Sequence, residues 1–182
     1  HLPAQSGNSR ILKMMNRTYD RPWYLNKIKN IKEVLGDDCG ISSDFITGFC
    51  SETENEHEDT LSLMDEVIYD YSYMFYYSER PGTMAQRKYN DDISLEIKKR
   101  RLSEIIEKQN KHSLDRNNLS IGNRYKVLIE GNSKKSLNYL KGRTSENKVV
   151  IFPKKTSLDK NYVDVEIKSC NSATLFGEIC SK

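Results

Sequence analysis

The apolar positions of this chain repeat with two periods. Up to about residue 118, helix-spaced clusters alternate with short strand-like runs, and after Ile121-Gly122 only short strand-like runs remain. Residues 1–5 read as the end of a strand and Ser6-Gly7-Asn8 as a turn. Ser9 is placed to cap a short helix over residues 10–15, with Ile11, Leu12 and Met15 on one face. Asp20 caps a longer helix with Pro22 in its first turn. Trp23, Ile28, Ile31, Val34 and Leu35 carry its apolar spacing, and Gly36 ends it.

Residues 41–53 organise the rest of the chain. Ile41, Phe45, Ile46 and Phe49 give a β-favouring run that enters a glycine turn at Gly48. Asp44 stands out, because a carboxylate in mid-strand is costly unless it is paired or wet. Gly48 lets the backbone approach something closely. Thr53 can cap a helix whose start is acidic through Glu54, Glu56, Glu58 and Asp59. That helix carries Leu61, Leu63, Met64, Val67 and Ile68. Residues 69–77 form an aromatic-rich strand that ends in a Pro81-Gly82 turn. A long charged helix comes next over residues 94–117, with Ile97, Leu102, Ile105, Ile106 and Gln109 inward.

The order β-α-β-α-β-α is that of a parallel sheet with crossover helices. Three such units do not close a barrel, and a parallel sheet is normally covered on both faces, so further βα units are expected upstream. Five short strands come after them, over residues 125–130, 139–143, 148–152, 162–167 and 173–179. They suggest a small OB-like barrel, with a domain boundary near residues 118–121. The expected fold is therefore α/β, with residues 1–118 and 119–182 as its two parts.

Charge sharpens this division. Residues 1–118 hold 17 Lys and Arg against 20 Asp and Glu, and residues 119–182 hold 12 against 6. A mildly acidic module thus precedes a basic one, which points to a polyanion partner or to a plain lysine-rich surface. Mean hydropathy is −0.75, and no apolar run approaches the roughly 18 residues of a membrane span. The start has no charged signal-like region and no initiator Met, so the chain reads as cut from something longer or processed. Cys39, Cys50, Cys170 and Cys180 lack metal-site spacing and suit reduced thiols in a cytoplasm. His57 and His112 fall on helix faces expected to be exposed. No Ser-His-Asp or HExxH pattern supports a hydrolase.

Four segments taken in order resemble the radical-SAM tRNA methylthiotransferases of MiaB type. His1-Leu-Pro-Ala-Gln-Ser-Gly-Asn8, with Leu12-Lys-Met-Met-Asn-Arg17, is similar to the family's fourth barrel strand and the helix after it. Asp44-Phe-Ile-Thr-Gly-Phe-Cys-Ser-Glu-Thr53 resembles its fifth strand, with Cys50-Ser51 in place of the usual Pro-Gly. Tyr77-Ser-Glu-Arg-Pro-Gly-Thr83 is similar to the end of its sixth strand. Gly142-Arg-Thr-Ser-Glu-Asn-Lys-Val-Val150 resembles the core of its RNA-binding TRAM barrel. The resemblance implies the last three βα units of a radical-SAM barrel, then a TRAM domain. It also implies an intact enzyme that adds a methylthio group to carbon 2 of isopentenyl-adenosine beside the tRNA anticodon.

Such an enzyme uses S-adenosyl-L-methionine and two [4Fe-4S] clusters. The family's cluster-binding cysteines and its CxxxCxxC loop have no match in this sequence, so cluster ligands are expected outside this chain. The chain by itself is expected to be inactive. Cys50 fits a tolerated loop residue better than a ligand. The resemblance places Gln5, Ser6, Asp44, Ile46, Gly48 and Phe49 against the cofactor, Arg80 toward phosphate or substrate, and Arg143, Asn147 and Lys148 on RNA. Ordinary packing or a surface ion pair is the alternative for each. Lys134, Lys135 and Lys141 add charge. Tyr139 and Phe152 are stacking candidates, with the barrel core as the favoured alternative. A cytoplasmic monomer acting on tRNA is the leading expectation. A ribosomal-protein aspartate methylthiotransferase and an inert RNA-binding fragment are the alternatives.

Overall fold

The computed structural model describes residues 1–154 and 161–180, which fall into two compact units, His1–Gln109 and Asn110–Lys182. Of the expected domain 119–182, residues 155–160 and 181–182 thus lie outside the described residues.

The first unit packs helices on a small parallel sheet. Helix α1 (Ser9–Met14) is capped by Asn8 rather than Ser9, and the Asn8 side chain accepts from the backbone N–H of Arg10 and Ile11. Helix α2 (Arg21–Leu35) begins at Asp20, which accepts from Trp23 N, and ends at Gly36 with φ of 88°. Its buried face is Tyr24 and Ile28, one turn apart. Trp23, Val34 and Leu35 are instead exposed, at 46%, 80% and 65%. Trp23 flanks the buried stripe and stacks on Tyr19 at 5.5 Å, while Val34 and Leu35 occupy the last turn.

Strand β1 (Ser42–Thr47) pairs in parallel with β2 (Tyr71–Tyr76), in register from Ser42 opposite Tyr71 to Thr47 opposite Tyr76. Residues 1–5 do not form the expected strand. They meet β1 through one parallel bridge, Gln5 with Phe45, and a Leu2 N to Ser42 O bond. Gln5 sits at φ 68°, and this left-handed residue breaks the extended run. Helix α3 (Glu54–Val67) joins β1 to β2 and buries Leu63, Met64 and Val67. Ile68 is its exposed, left-handed C-cap, not an inward residue. A short helix α4 (Met84–Lys88), capped by Thr83, was not foreseen. Helix α5 (Leu95–Asn118) turns Ile105 and Gln109 inward but leaves Ile97 and Ile106 exposed.

The core gathers Tyr24, Ile28, Phe45, Leu63, Met64, Tyr69 and Ile105, with Phe45 edge-on to Tyr69 at 5.4 Å. His57 and His112, expected on exposed faces, are both buried. Two polar partners, Thr47 and Glu104, make the inside tolerable for His57.

The second unit is a closed five-strand barrel in the order β3-β4-β5-β7-β6. Its strands are β3 (Arg124–Ser133), β4 (Ser136–Arg143), β5 (Val149–Pro153), β6 (Tyr162–Cys170) and β7 (Leu175–Ile179). All pairs are antiparallel except β5 with β7. Alternation along each strand fills the interior with Val127, Leu140, Val150, Phe152, Val165, Ile167 and Leu175. A Cβ on Gly142 would meet Val127 Cγ1 at 2.4 Å, so the closed interior leaves that position no room for a side chain.

Candidate functional site

In the first unit, the carboxyl ends of β1 and β2 open onto a cleft of about 680 Å³. A parallel α/β arrangement places its ligand at such an end. Ile46, Phe49, Met74 and Tyr77 supply apolar walls, Gln5 and Asp44 a polar floor, and Arg17 and Arg80 two exposed guanidinium groups. Asp44 is part-exposed, with His1 Nε2 3.6 Å from its carboxylate. The cleft therefore unites Gln5, Asp44, Ile46, Phe49 and Arg80.

Ser6 and Gly48 do not line it. Ser6 is buried toward α3, where its hydroxyl lies 3.4 Å from Thr60 Oγ1. Gly48 has φ of 68°, and a Cβ there would lie 2.5 Å from Lys98 Cγ, so the close approach is to α5. Arg17, Met15, Tyr76 and Tyr77 were not singled out from the sequence, although Met15 and Arg17 lie inside the matching segment that ends at Arg17.

Behind the cleft a buried ionic network holds the turn after β1. Glu52 Oε2 accepts from Gly48 N at 2.6 Å and from Arg101 Nη1 at 2.9 Å. Arg101 also reaches the Glu52 carbonyl at 3.0 Å and Glu54 at 2.9 Å. Burial raises the Glu52 carboxyl above its ordinary value, against the opposing pull of Gly48 N–H and Arg101. His57 bridges Thr47 Oγ1 at 3.2 Å and Glu104 Oε2 at 2.7 Å. These bonds fix the loop that presents Phe49. Cys50 is 1% exposed, and burial raises its thiol, so it is a poor thiolate at neutral pH. Burial, reinforced by the neighbouring Cys50, pushes the Tyr77 phenol up to about 12. Among the described residues, no group of three or more His, Cys, Asp or Glu could hold a metal ion.

In the barrel, Arg143 donates to Glu130 Oε1 at 2.9 Å and to the Asn147 carbonyl and side chain at 3.0 and 2.9 Å. Asn147 takes the left-handed turn position, with φ of 64°. Lys148 Nζ donates to the Arg116 carbonyl at 3.3 Å. The structure thus brings Arg143 and Asn147 together and turns Lys148 to the end of α5. Of the two stacking candidates, Phe152 is core and Tyr139 is exposed.

Similarity to known proteins respects this division. Residues 119–180 match the family model described as TRAM domain. Over all of its length the chain is 60% identical to a tRNA-2-methylthio-N(6)-dimethylallyladenosine synthase of Amoebophilus asiaticus, covering 37% of that relative. Proteins of the same name from Christiangramia forsetii and Bacteroides fragilis are 54% and 51% identical over 98% of the chain, which covers 37% and 39% of them.

Throughout its length the chain is similar to proteins of this name. It corresponds to their C-terminal portion and spans less than two-fifths of the length of these three relatives. The barrel is the TRAM domain. Among the described residues, no helix is long and apolar enough to cross a membrane.

Proposed function

We infer that this chain is the working C-terminal part of an enzyme that adds a methylthio group to carbon 2 of isopentenyl-adenosine beside the tRNA anticodon, in the cytoplasm and as a monomer. The observation that carries the reading is 60% identity over the whole chain to a relative named for that product. The β1–β2 unit is read as the last three βα units of a radical-SAM barrel, with residues 1–5 as the first strand's remnant.

The cleft's donor set fits S-adenosyl-L-methionine. Ile46 and Phe49 offer flat apolar contact for a purine. The Asp44 carboxylate suits a cationic sulfonium or ammonium, and Gln5 supplies amide hydrogen bonds. When bound, that cofactor supplies the radical and the methyl group. The chain's part is to hold and orient it, to exclude water with Phe49 and Tyr77, and to present Asp44 at the floor. Ser6 and Gly48 act from behind this wall rather than on it. Arg80 and Arg17 stand at the cleft for an anionic group. The residues described do not fit an iron–sulfur cluster, which needs a cage of cysteine thiolates. The TRAM barrel is read as the tRNA-binding module.

A chimaera tests this. The 182 residues replace the matching segment of the Amoebophilus asiaticus relative, and nucleosides from tRNA are analysed by mass spectrometry. The expected result is the 2-methylthio nucleoside. A folded chimaera that leaves isopentenyl-adenosine unmodified would overturn the reading.

A further inference from the structure

The barrel carries a second cleft, of about 650 Å³, on its outer face. Strand register builds it. Lys141 on β4 lies opposite Ile151 on β5, which lies opposite Phe176 on β7. Tyr139, two residues before Lys141, points to the same face, since strand side chains alternate. Both rings are exposed, Tyr139 at 43% and Phe176 at 37%. Lys134 and Lys135 sit in the β3–β4 turn beside this row, and neither forms an ion pair among the described residues. Among the described residues, no Asp or Glu lines the cleft. Lys141 is paired with Glu130 at 2.8 Å.

We propose that this outer face, rather than the turn at residues 143–148, is the surface on which the barrel holds single-stranded RNA. Tyr139 and Phe176 stack two bases, and Lys134 and Lys135 bind the phosphates between them. The proposal rests on the reading of the barrel as a tRNA-binding module and names the face that module uses. Two exposed rings about a lysine form a platform for splayed bases, because every base presents a flat π-face. A duplex keeps its bases stacked inside and cannot use the rings. The turn at residues 143–148 is less suited, because its guanidinium already holds Glu130 and Asn147. Lys148 likewise reaches the end of α5.

The test uses the whole chain and fluorescence anisotropy with three probes: a labelled 12-nucleotide oligoadenylate, a blunt RNA duplex of equal length, and unmodified tRNA. The single strand is expected to bind more tightly than the duplex. Replacing Tyr139 and Phe176 together by Leu should weaken single-strand binding about tenfold or more. The pair Tyr139→Phe and Phe176→Tyr should restore it. Lys134→Gln with Lys135→Gln should make the salt dependence shallower by roughly 0.7 per lost contact. Arg143→Ala with Lys148→Ala should have the smaller effect. Circular dichroism confirms folding, which these exposed positions should not disturb.

If tRNA binds but the Leu pair leaves every affinity unchanged, the face is wrong while the tRNA-binding reading stands. If the Arg143 and Lys148 pair alone weakens binding, the turn is the surface instead. If the chain binds none of the probes, both the face and the reading fall.

Discussion

Gly7 shows how a single position can be decided by its neighbours. A Cβ there would lie 2.3 Å from Asp59 O and 2.5 Å from Thr60 Cα, both backbone atoms of α3. Backbone cannot step aside as a side chain can, so Gly7→Ala should destabilise the first unit by about 1–3 kcal/mol in urea unfolding. No loss would mean that the turn before α1 and helix α3 are less closely packed. Arg101 is the second such case. It neutralises Glu52, whose side chain is 1% exposed. Arg101→Met leaves that carboxylate buried without its cationic partner, a change expected to cost about 3–5 kcal/mol. Adding Glu52→Gln to that variant should recover part of the loss, since the buried charge is then gone. If the double variant is no more stable than Arg101→Met alone, the ion pair is not what Arg101 contributes.

At the scale of elements, helix starts are governed by local chemistry. Thr53 and Glu56 form a reciprocal capping box at α3, and Arg10 holds the same Glu56. Thr53→Ala should cost about 1 kcal/mol, measured by denaturant unfolding. The Glu56 carboxyl is lowered from 4.5 to about 2, chiefly by its hydrogen bond to Arg10. A carboxyl lowered on folding stabilises above its unfolded value and loses that contribution as pH falls toward its folded one. The decline in stability between pH 4.5 and about 2 should therefore be flatter in Glu56→Gln than in the parent. Equal slopes would assign the acid loss to other groups. The barrel's strands obey a different rule. Inward and outward positions alternate, and closure leaves Tyr139 and Phe176 on a face that needs no covering to complete the core.

Among the described residues, one buried cluster gathers around Phe45 in the first unit and another around Phe152 in the barrel. Both rings are fully buried. Phe45→Ala and Phe152→Ala should each cost the unit that carries the change about 3–5 kcal/mol. Hydrogen exchange monitored by mass spectrometry reads this directly, as lost protection in the strands around the substituted ring. Unchanged protection there would contradict its place in the core. Charge is also divided at this scale. Residues 119–182 carry the excess of Lys and Arg, although the whole chain has a net charge of only +3. Partner binding therefore depends on local rather than net charge, because fields are screened within about 10 Å at ordinary salt.

Much of the fold was legible from residue order because its causes are local. Asp20 and Thr53 cap the helices expected of them, and Gly36 ends α2. The five barrel strands fall where short apolar runs alternate with Gly, Asn and Lys turns. A cap or turn needs only its own few neighbours to satisfy backbone groups, so sequence alone determines it. Facing was another matter. Val149, Val150, Ile151 and Phe152 are all apolar, so their run does not say that Phe152 goes in and Ile151 lines an outer cleft. The burial of His57 depends on Thr47 and Glu104, 10 and 47 residues away. Gly48 suggests space for a ligand, yet Lys98 lies against it. The cleft itself assembles Gln5, Asp44, Phe49, Tyr77 and Arg80 from well-separated segments. Contacts between distant segments are set by chain crossing and packing, which local periodicity does not encode. Only the tertiary structure could decide them.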